Sequence, residues 1–427
     1  MSTYNVAIVG AGPAGYFSAQ ALQGLSNNQL TFKVDLFEKL PTPWGLVRSG
    51  VSPDHPKIKS VSKVFEKISD NQNFRLFANV EVGKDISLDA LKSAYDAVIL
   101  AVGTPLGKRL GIPGEDLLNV WSSAEFVPWY NGHPDYSDLG IDLSGKRAIV
   151  IGAGNVAMDV ARLLAMEPSE LTTTDISDHA LNLLLTSSIT DVRICARRGA
   201  EFASFTAPEL RELPELSDTD VVISAEEISD ALTRSSDEVE RHVKANLDAM
   251  HSIATMERSE KNKRLEFHFG YTPKEIRGAE RVESVIFSSL HGDIEIEADL
   301  VVTAIGYEAD SGLNLSVDGN HLENSDGFVE DNLYVVGWAK RGPTGVIGTN
   351  KSDATEVARK IVSELSFKNP KEDSGVSEVV SDLNFLNLTE WRRINDYEIS
   401  KGANTGRPRV KLKTIQEMIR VSKGDLD

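Results

Sequence analysis

The sequence predicts an α/β protein with two parallel-sheet units, one inserted in the other. Three observations carry that expectation. Two glycine fingerprints, Gly10-Ala11-Gly12-Pro13-Ala14-Gly15 and Gly152-Ala153-Gly154-Asn155-Val156-Ala157, each follow a short apolar run and lead into a segment of helical spacing. The next apolar run after each fingerprint closes on charge, Glu38 in the first case and Arg197-Arg198 in the second. The strand pattern of the first hundred residues returns near position 330. Strand, tight glycine turn and helix together make a Rossmann-like dinucleotide-binding unit.

In the first unit, residues 6–9 are the opening strand. Gly10, Gly12 and Gly15 permit a sharp turn and let backbone approach a pyrophosphate at the helix N-terminus. Glu38 ends the run 34–37, where a carboxylate accepts hydrogen bonds from a ribose diol, as in FAD or NAD. Residues 39–59 form a long loop rich in Pro and Gly, holding Trp44, Gly45 and His55. Long loops in compact α/β domains are usually functional. His55 reads equally as a loop histidine and as a catalytic one. The run 97–102, stopped by Gly103, reads as a buried parallel strand.

The second unit opens at Gly111-Ile112-Pro113-Gly114, and residues 148–151 lead to its fingerprint. Ala157 stands in the third glycine position, and the wider helix–strand spacing that a methyl imposes suits NADP. Arg197 and Arg198 after the strand 192–196 would neutralise a 2′-phosphate, as in NADPH. Asp159 reads as a first-turn acid favoured by the helix dipole, a reading weakened because the same dipole must hold phosphates nearby. Residues 167–188 read as an insertion rich in Thr, Ser and Asp, and 237–257 have helical spacing, with 237–244 a solvated charged face. Segments 265–269, 282–288 and 294–296 read as a small antiparallel sheet, and 300–304 as a second buried strand. Cys195 reads as a small core residue.

From 330 the first pattern resumes: a strand at 333–336, Gly337-Trp338, the run Gly342-Pro343-Thr344-Gly345-Val346-Ile347-Gly348, and a helix at 352–366. Trp338 reads equally as core and as flavin-side. A polar linker at 368–375 precedes a tail expected to be ordered at 383–391 and 410–421.

The chain has 427 residues, enough for two domains with separate cores. It is 41% hydrophobic and 26% charged, a globular composition. A net charge of −19 argues against nucleic acid and anionic membranes as partners. No run approaches the roughly 20 apolar residues of a membrane helix. Met1 lies close to the first strand, so no leader peptide is expected. The single cysteine forbids an internal disulfide and a cysteine-ligated cluster, and a cytoplasmic location is the expectation. No metal is called for.

Over essentially its whole length the chain resembles the adrenodoxin reductase type of NADPH–ferredoxin reductase, bacterial relatives included. The resemblance rests on residues 9–15, on Pro43-Trp44-Gly45-Leu46-Val47-Arg48 through Asp54-His55-Pro56, and on Asn79-Val80-Glu81-Val82-Gly83. It continues through 151–162, Arg197-Arg198-Gly199, Phe205-Thr206 with Glu209-Leu210-Arg211-Glu212, Arg341-Gly342-Pro343-Thr344-Gly345-Val346-Ile347-Gly348-Thr349-Asn350 and Arg407-Pro408-Arg409-Val410-Lys411. The Trp-Gly-Leu-Val loop and the Arg-Gly-Pro-Thr-Gly-Val-Ile-Gly run are specific; the glycine fingerprints alone are not.

The resemblance implies a glutathione reductase-like FAD/NAD(P) fold. The expected FAD domain is 1–104 plus 330–427, with an NADP domain at 105–329 inserted in it. FAD would contact Ala14, Glu38, Leu46, Val82, Trp338, Gly345, Val346 and Ile347. NADP would contact Ala153, Gly154, Asn155, Val156, Arg197, Arg198, Glu209 and Gly345. His55 and Asp159 match the pair placed near the flavin ring. Arg211, Arg241 and Lys244 match bases that dock an acidic carrier, although the chain as a whole is acidic. The implied activity passes electrons from NADPH through FAD, singly, to a ferredoxin or flavodoxin that feeds a cytochrome P450 or other oxygenase. A monomer is expected. A flavoenzyme reducing a small-molecule acceptor, or serving as an electron-input subunit, is the alternative. A non-catalytic nucleotide-binding scaffold is a remoter one.

Overall fold

A computed structural model describes residues 2–234, 240–257, 259–310 and 312–425. The chain divides into two compact units. One comprises Met1–Leu106 with Tyr307–Asp427, and the other Gly107–Gly306.

The first unit is built on a six-stranded sheet in the order Phe328–Glu330, Leu333–Val335, Ala97–Leu100, Ser2–Val9, Leu30–Glu38, Phe74–Ala78. All neighbours are parallel except the first pair. Val6, Ile8, Val34, Leu36 and Ile99 are buried on one face, Ala7, Phe37, Val98 and Leu100 on the other. Burial on both faces is why these strands read as continuous apolar runs. The helix Pro13–Leu25 starts with Pro at its first turn, where the missing N–H costs nothing. It packs beside Thr349–Leu365, which starts three residues before the expected 352.

The first unit resumes at Tyr307 rather than near 330. Leu313, Leu315 and Leu322 pack with Phe77, Leu91 and Leu333, and Tyr307 lies 5.7 Å from Trp338. Apolar residues set among turns gave little strand signal, so the return was expected only at the next long run. The expected linker 368–375 runs into a helix, Asp373–Val380. The tail is two helices, Leu388–Ala403 and Ile415–Lys423. Each opens on a capping box, Asn387 with Glu390 and Thr414 with Glu417. The helices start later than the expected ordered segments 383–391 and 410–421, where their capping boxes set them, and run on beyond both.

The second unit has a six-stranded parallel sheet in the order Val120–Ser122, Leu300–Thr303, Arg147–Ile151, Asp191–Ala196, Lys263–Phe269, Thr219–Val222. Residues 265–269 therefore belong to this sheet, with Leu265 opposite Val192. Their alternating burial hid an interior parallel strand behind an antiparallel-looking pattern. The antiparallel sheet is Thr272–Arg277, Ser284–Ser289 and Gly292–Glu297. The insertion at 167–188 is a 3-10 turn at Pro168–Thr173 and a helix at Asp178–Leu185, whose Leu171, Ala180, Leu181 and Leu184 join the main core. Of the charged run 237–244, residues 237–239 lie outside the described residues; Arg241–Ala254 is a helix.

Candidate functional site

Each unit holds a glycine cradle at the C-terminal edge of its sheet. In the first, Gly10 has φ +106°, and a Cβ there would fall 2.5 Å from the Ala101 carbonyl oxygen. A Cβ on Gly15 would fall 2.0 Å from the Gly10 oxygen. Helix and strand meet closely only because both lack side chains. Gly12 caps the helix with no side-chain acceptor. Glu38 ends its strand as expected and turns back on the cradle. Its carboxylate accepts from the N–H of Ala11 at 2.9 Å and of Leu40 at 3.1 Å. Burial pushes the Glu38 carboxyl above the usual range, against the pull of those two N–H groups.

The Pro- and Gly-rich loop is laid across this turn. Trp44 donates its N–H to the Ala11 oxygen at 2.7 Å, and Gly45, at φ +51°, passes so close that a Cβ would meet Gly12 Cα at 2.9 Å. This carries the half-exposed Leu46 to the first fingerprint. Val82 lies at the bridge to Ile86. His55 is half-buried and precedes the short helix Pro56–Lys59 at its cap position, where its side chain makes no capping bond.

At the next strand end, Gly337 has φ +71°, and a Cβ on it would meet the Ala14 Cβ at 2.6 Å. Its N–H donates to Asp353 Oδ2 at 2.6 Å. Asp353 also pairs with Lys340 at 2.9 Å and Arg341 at 3.2 Å. Arg341 Nη2 reaches Asn350 Oδ1 at 3.0 Å, and Trp338 Nε1 donates to the Thr344 oxygen at 3.2 Å. These bonds hold the turn that presents Gly345, Val346 and Ile347, of which Val346 is well exposed. Asp353 was missed by sequence reasoning, because a lone acid in an amphipathic helix gives no signal.

A second group that sequence reasoning missed is Glu398, fully buried in the helix Leu388–Ala403. Arg48 donates to it through Nη1 at 2.8 Å and Nη2 at 2.5 Å. Arg409 adds 3.2 Å, and the Leu412 N–H 2.9 Å. Burial alone would raise the Glu398 carboxyl; the guanidinium of Arg48, with Arg409, overcomes it and holds the group below its ordinary value. The tail thereby grips the loop that carries Leu46 and His55.

In the second unit, a Cβ on Gly152 would fall 2.3 Å from the Ala304 oxygen. Gly154 caps the helix Asn155–Ala165 with no side-chain bond. Ser204 N–H donates to the Ala153 oxygen at 2.7 Å, and Asn155 Oδ1 accepts from the Thr206 N–H at 2.9 Å. This second strap on the turn was also missed. Val156 is partly buried behind the turn. Arg197 and Arg198 are exposed at the strand end, with Arg198 over the ring of Phe202 at 5.2 Å. Glu209 and Arg211 lie on the short helix Ala207–Glu212, which packs on the helix carrying Arg241 and Lys244. All three of those bases are exposed.

Asp159 is not a first-turn acid. It stands one turn further in, and its Oδ1 accepts from Arg162 Nη2 at 2.9 Å. Cys195 is buried, and burial pushes its thiol far up.

Comparison with known proteins decides the family. The model of the pyridine nucleotide-disulphide oxidoreductases matches residues 4–195. NADPH-ferredoxin reductase FprA of Mycobacterium tuberculosis is 40% identical over 99% of this chain and 100% of its own. The chain belongs to the NADPH-ferredoxin reductase family. The solved structure of Mycobacterium tuberculosis FprA in complex with NADPH superimposes on this reductase with a TM-score of 0.95, at 40% identity over 99% and 100% of the two chains. The mitochondrial NADPH:adrenodoxin oxidoreductase of Drosophila melanogaster is 36% identical over 98% and 94%. The reductase is thus a flavoprotein oxidoreductase of the two-Rossmann type that works with FAD and NADPH. Among the described residues no helix is long and apolar enough to cross a membrane.

The first unit fits FAD on its own geometry. Besides the cradle that a Cβ would fill at Gly10 and Gly15, two buried hydroxyls, Thr42 Oγ1 and Thr104 Oγ1, find no partner among the described residues. Buried hydroxyls are otherwise nearly always bonded, so both are suited to a polar ligand.

Proposed function

We propose that this reductase oxidises NADPH and delivers the electrons one at a time to a small acidic carrier of the ferredoxin type, with flavodoxin as the second carrier class. The observation that carries the reading is the pair of glycine cradles in one chain with opposite closing charges, Glu38 and Arg197-Arg198. Full-length similarity to FprA supports the choice of acceptor. FAD, when bound, supplies the conversion between a two-electron donor and a one-electron acceptor.

Gly10, Gly12, Ala14 and Gly15 would seat the flavin's pyrophosphate and Glu38 its ribose. Leu46, Val82, Trp338, Gly345, Val346 and Ile347 would bound the rest. Ala153, Gly154, Asn155 and Val156 would seat the NADPH pyrophosphate. Arg197 and Arg198 would pair with its 2′-phosphate, with Glu209 and Gly345 at its other contacts. His55 and Asp159 would orient the nicotinamide or balance charge at the ring, and Arg211, Arg241 and Lys244 would steer the carrier. Orientation and electrostatics are the protein's share of such chemistry.

The test is NADPH-driven cytochrome c reduction with and without a purified acidic [2Fe–2S] ferredoxin. Strong dependence on the ferredoxin is the expected result. Equal rates without it would favour a small-molecule acceptor.

A further inference from the structure

Directly after His55 the chain makes two helical segments, Pro56–Lys59 and Ser62–Ser69. Ser60 and Val61 between them also have helical dihedrals, so the segments run on with little break. The inner side is fixed. Phe65 is fully buried, stacks on Tyr16 at 4.7 Å and meets Phe17 edge-on at 5.6 Å, both on the first-fingerprint helix. Ile68 is buried beside it.

The outer side has a different character. Lys57, Lys63 and Lys67 are exposed, and none of them has an ion-pair partner among the described residues. Lys63 and Lys67, four apart, share one face of this run, and Lys57 and Val64, seven apart, share a neighbouring flank about a quarter turn away. Ile58 is 45% exposed and Val64 39%. Residues 56–69 hold Lys57, Lys59, Lys63 and Lys67 against the single acid Glu66, in a chain whose net charge is −19. Exposed apolar groups ringed by one sign of charge are the make-up of a transient protein interface.

We propose that Lys57, Lys63 and Lys67, with Ile58 and Val64 among them, form a docking surface on the flavin-bearing unit for an acidic one-electron protein carrier. The proposal rests on the reductase reading and adds to it the surface that receives the acceptor. Electrons leave from the flavin, so the carrier must make contact with the unit that holds it. This strip begins two residues after His55, on the loop that lies over the first glycine turn. At ordinary salt an approaching acidic carrier feels the protein's overall negative charge only weakly beyond roughly 8–10 Å, and local positive charge then sets its orientation. The rigid attachment through Phe65 makes the orientation reproducible.

The experiment uses the holoenzyme with a purified acidic [2Fe–2S] ferredoxin as probe and ferricyanide as the acceptor that needs no docking. In Lys63→Glu/Lys67→Glu the apparent KM for ferredoxin should rise about tenfold and its salt dependence should flatten, as expected for rim charges that steer a partner. Ferricyanide turnover should match wild type. Val64→Ser should raise the ferredoxin KM while leaving the salt dependence intact. If the Glu pair lowers flavin content, Lys63→Gln/Lys67→Gln carries the same test with a smaller rise. Wild-type ferredoxin KM and salt response in a variant with full ferricyanide activity would overturn the proposal. Cytochrome c reduction by the wild-type enzyme that needs no ferredoxin would overturn the reductase reading and the docking surface together.

Discussion

Arg197 and Arg198 stand exposed at a strand end, Arg198 over the ring of Phe202. Their proposed partner is a phosphate dianion. Replacing both with Ala should raise the NADPH KM roughly 100-fold, the size of two charge-assisted bonds, and barely change NADH turnover. Steady-state kinetics with both nucleotides checks this; equal losses would refute the assignment. His55→Gln should keep the flavin and slow its bleaching by NADPH, read by stopped flow. Asp159 needs a milder change, because it is bonded to Arg162, which is only 5% exposed. Asp159→Ala should cost about 1–3 kcal/mol by removing one acceptor of the buried Arg162, whereas Asp159→Asn keeps an oxygen there. Glu398 makes the clearest stability prediction. Glu398→Gln leaves Arg48 buried beside a neutral group and should cost about 3–5 kcal/mol in denaturant unfolding. Its carboxyl is held below the ordinary value, so the stability it contributes is full above about pH 4.3 and is lost as pH falls through the folded value. The wild type should therefore lose stability across that acid range more steeply than the Gln variant.

Two glycines of one helix, Pro13–Leu25, should behave oppositely. Gly15→Ala drives a Cβ into the Gly10 carbonyl at 2.0 Å, against backbone that cannot swing aside. It should release FAD and cost about 1–3 kcal/mol. Gly24 has nothing within 4 Å of its added Cβ, and Gly24→Ala should stabilise the helix by roughly 0.5–1 kcal/mol. The ratio of flavin to protein absorbance, with thermal melts of both variants, separates the two effects. A common loss of flavin would show that helix propensity, not the close approach, governs this turn. Each cradle is also tied down by a neighbouring segment: Trp44 and Gly45 in the first unit, Ser204 and Thr206 in the second. A glycine turn ordered in advance spends less binding energy on ordering itself around a ligand.

Across the whole molecule, the sole cysteine reports on folding. Cys195 lies inside a central strand with its thiol held protonated by burial. A thiol reagent should find no reactive group in the native protein and one per chain in denaturant. Reaction in the native state would show that the second unit opens locally. Net charge −19 and a pI near 4.9 place the solubility minimum well below neutral pH and make any basic patch a local exception.

The sequence alone was enough for the two cradles, their order and the charges that close them. These are local: a glycine turn needs particular residues at particular spacings, and a buried parallel strand is a continuous apolar run. It also carried the family resemblance through the loop at 43–56 and the run at 341–350. Long-range packing set what depends on partners far apart in the chain. Asp353 became a clamp on Gly337 only through the packing of its helix, and Glu398 a buried counter-ion only because Arg48, 350 residues earlier, lies against it. The place of Lys263–Phe269 in the parallel sheet and the return to the first unit at Tyr307 were set in the same way, by which apolar faces met. Single polar residues in amphipathic helices carry no period and no motif. What they do follows from the burial that long-range packing imposes on them.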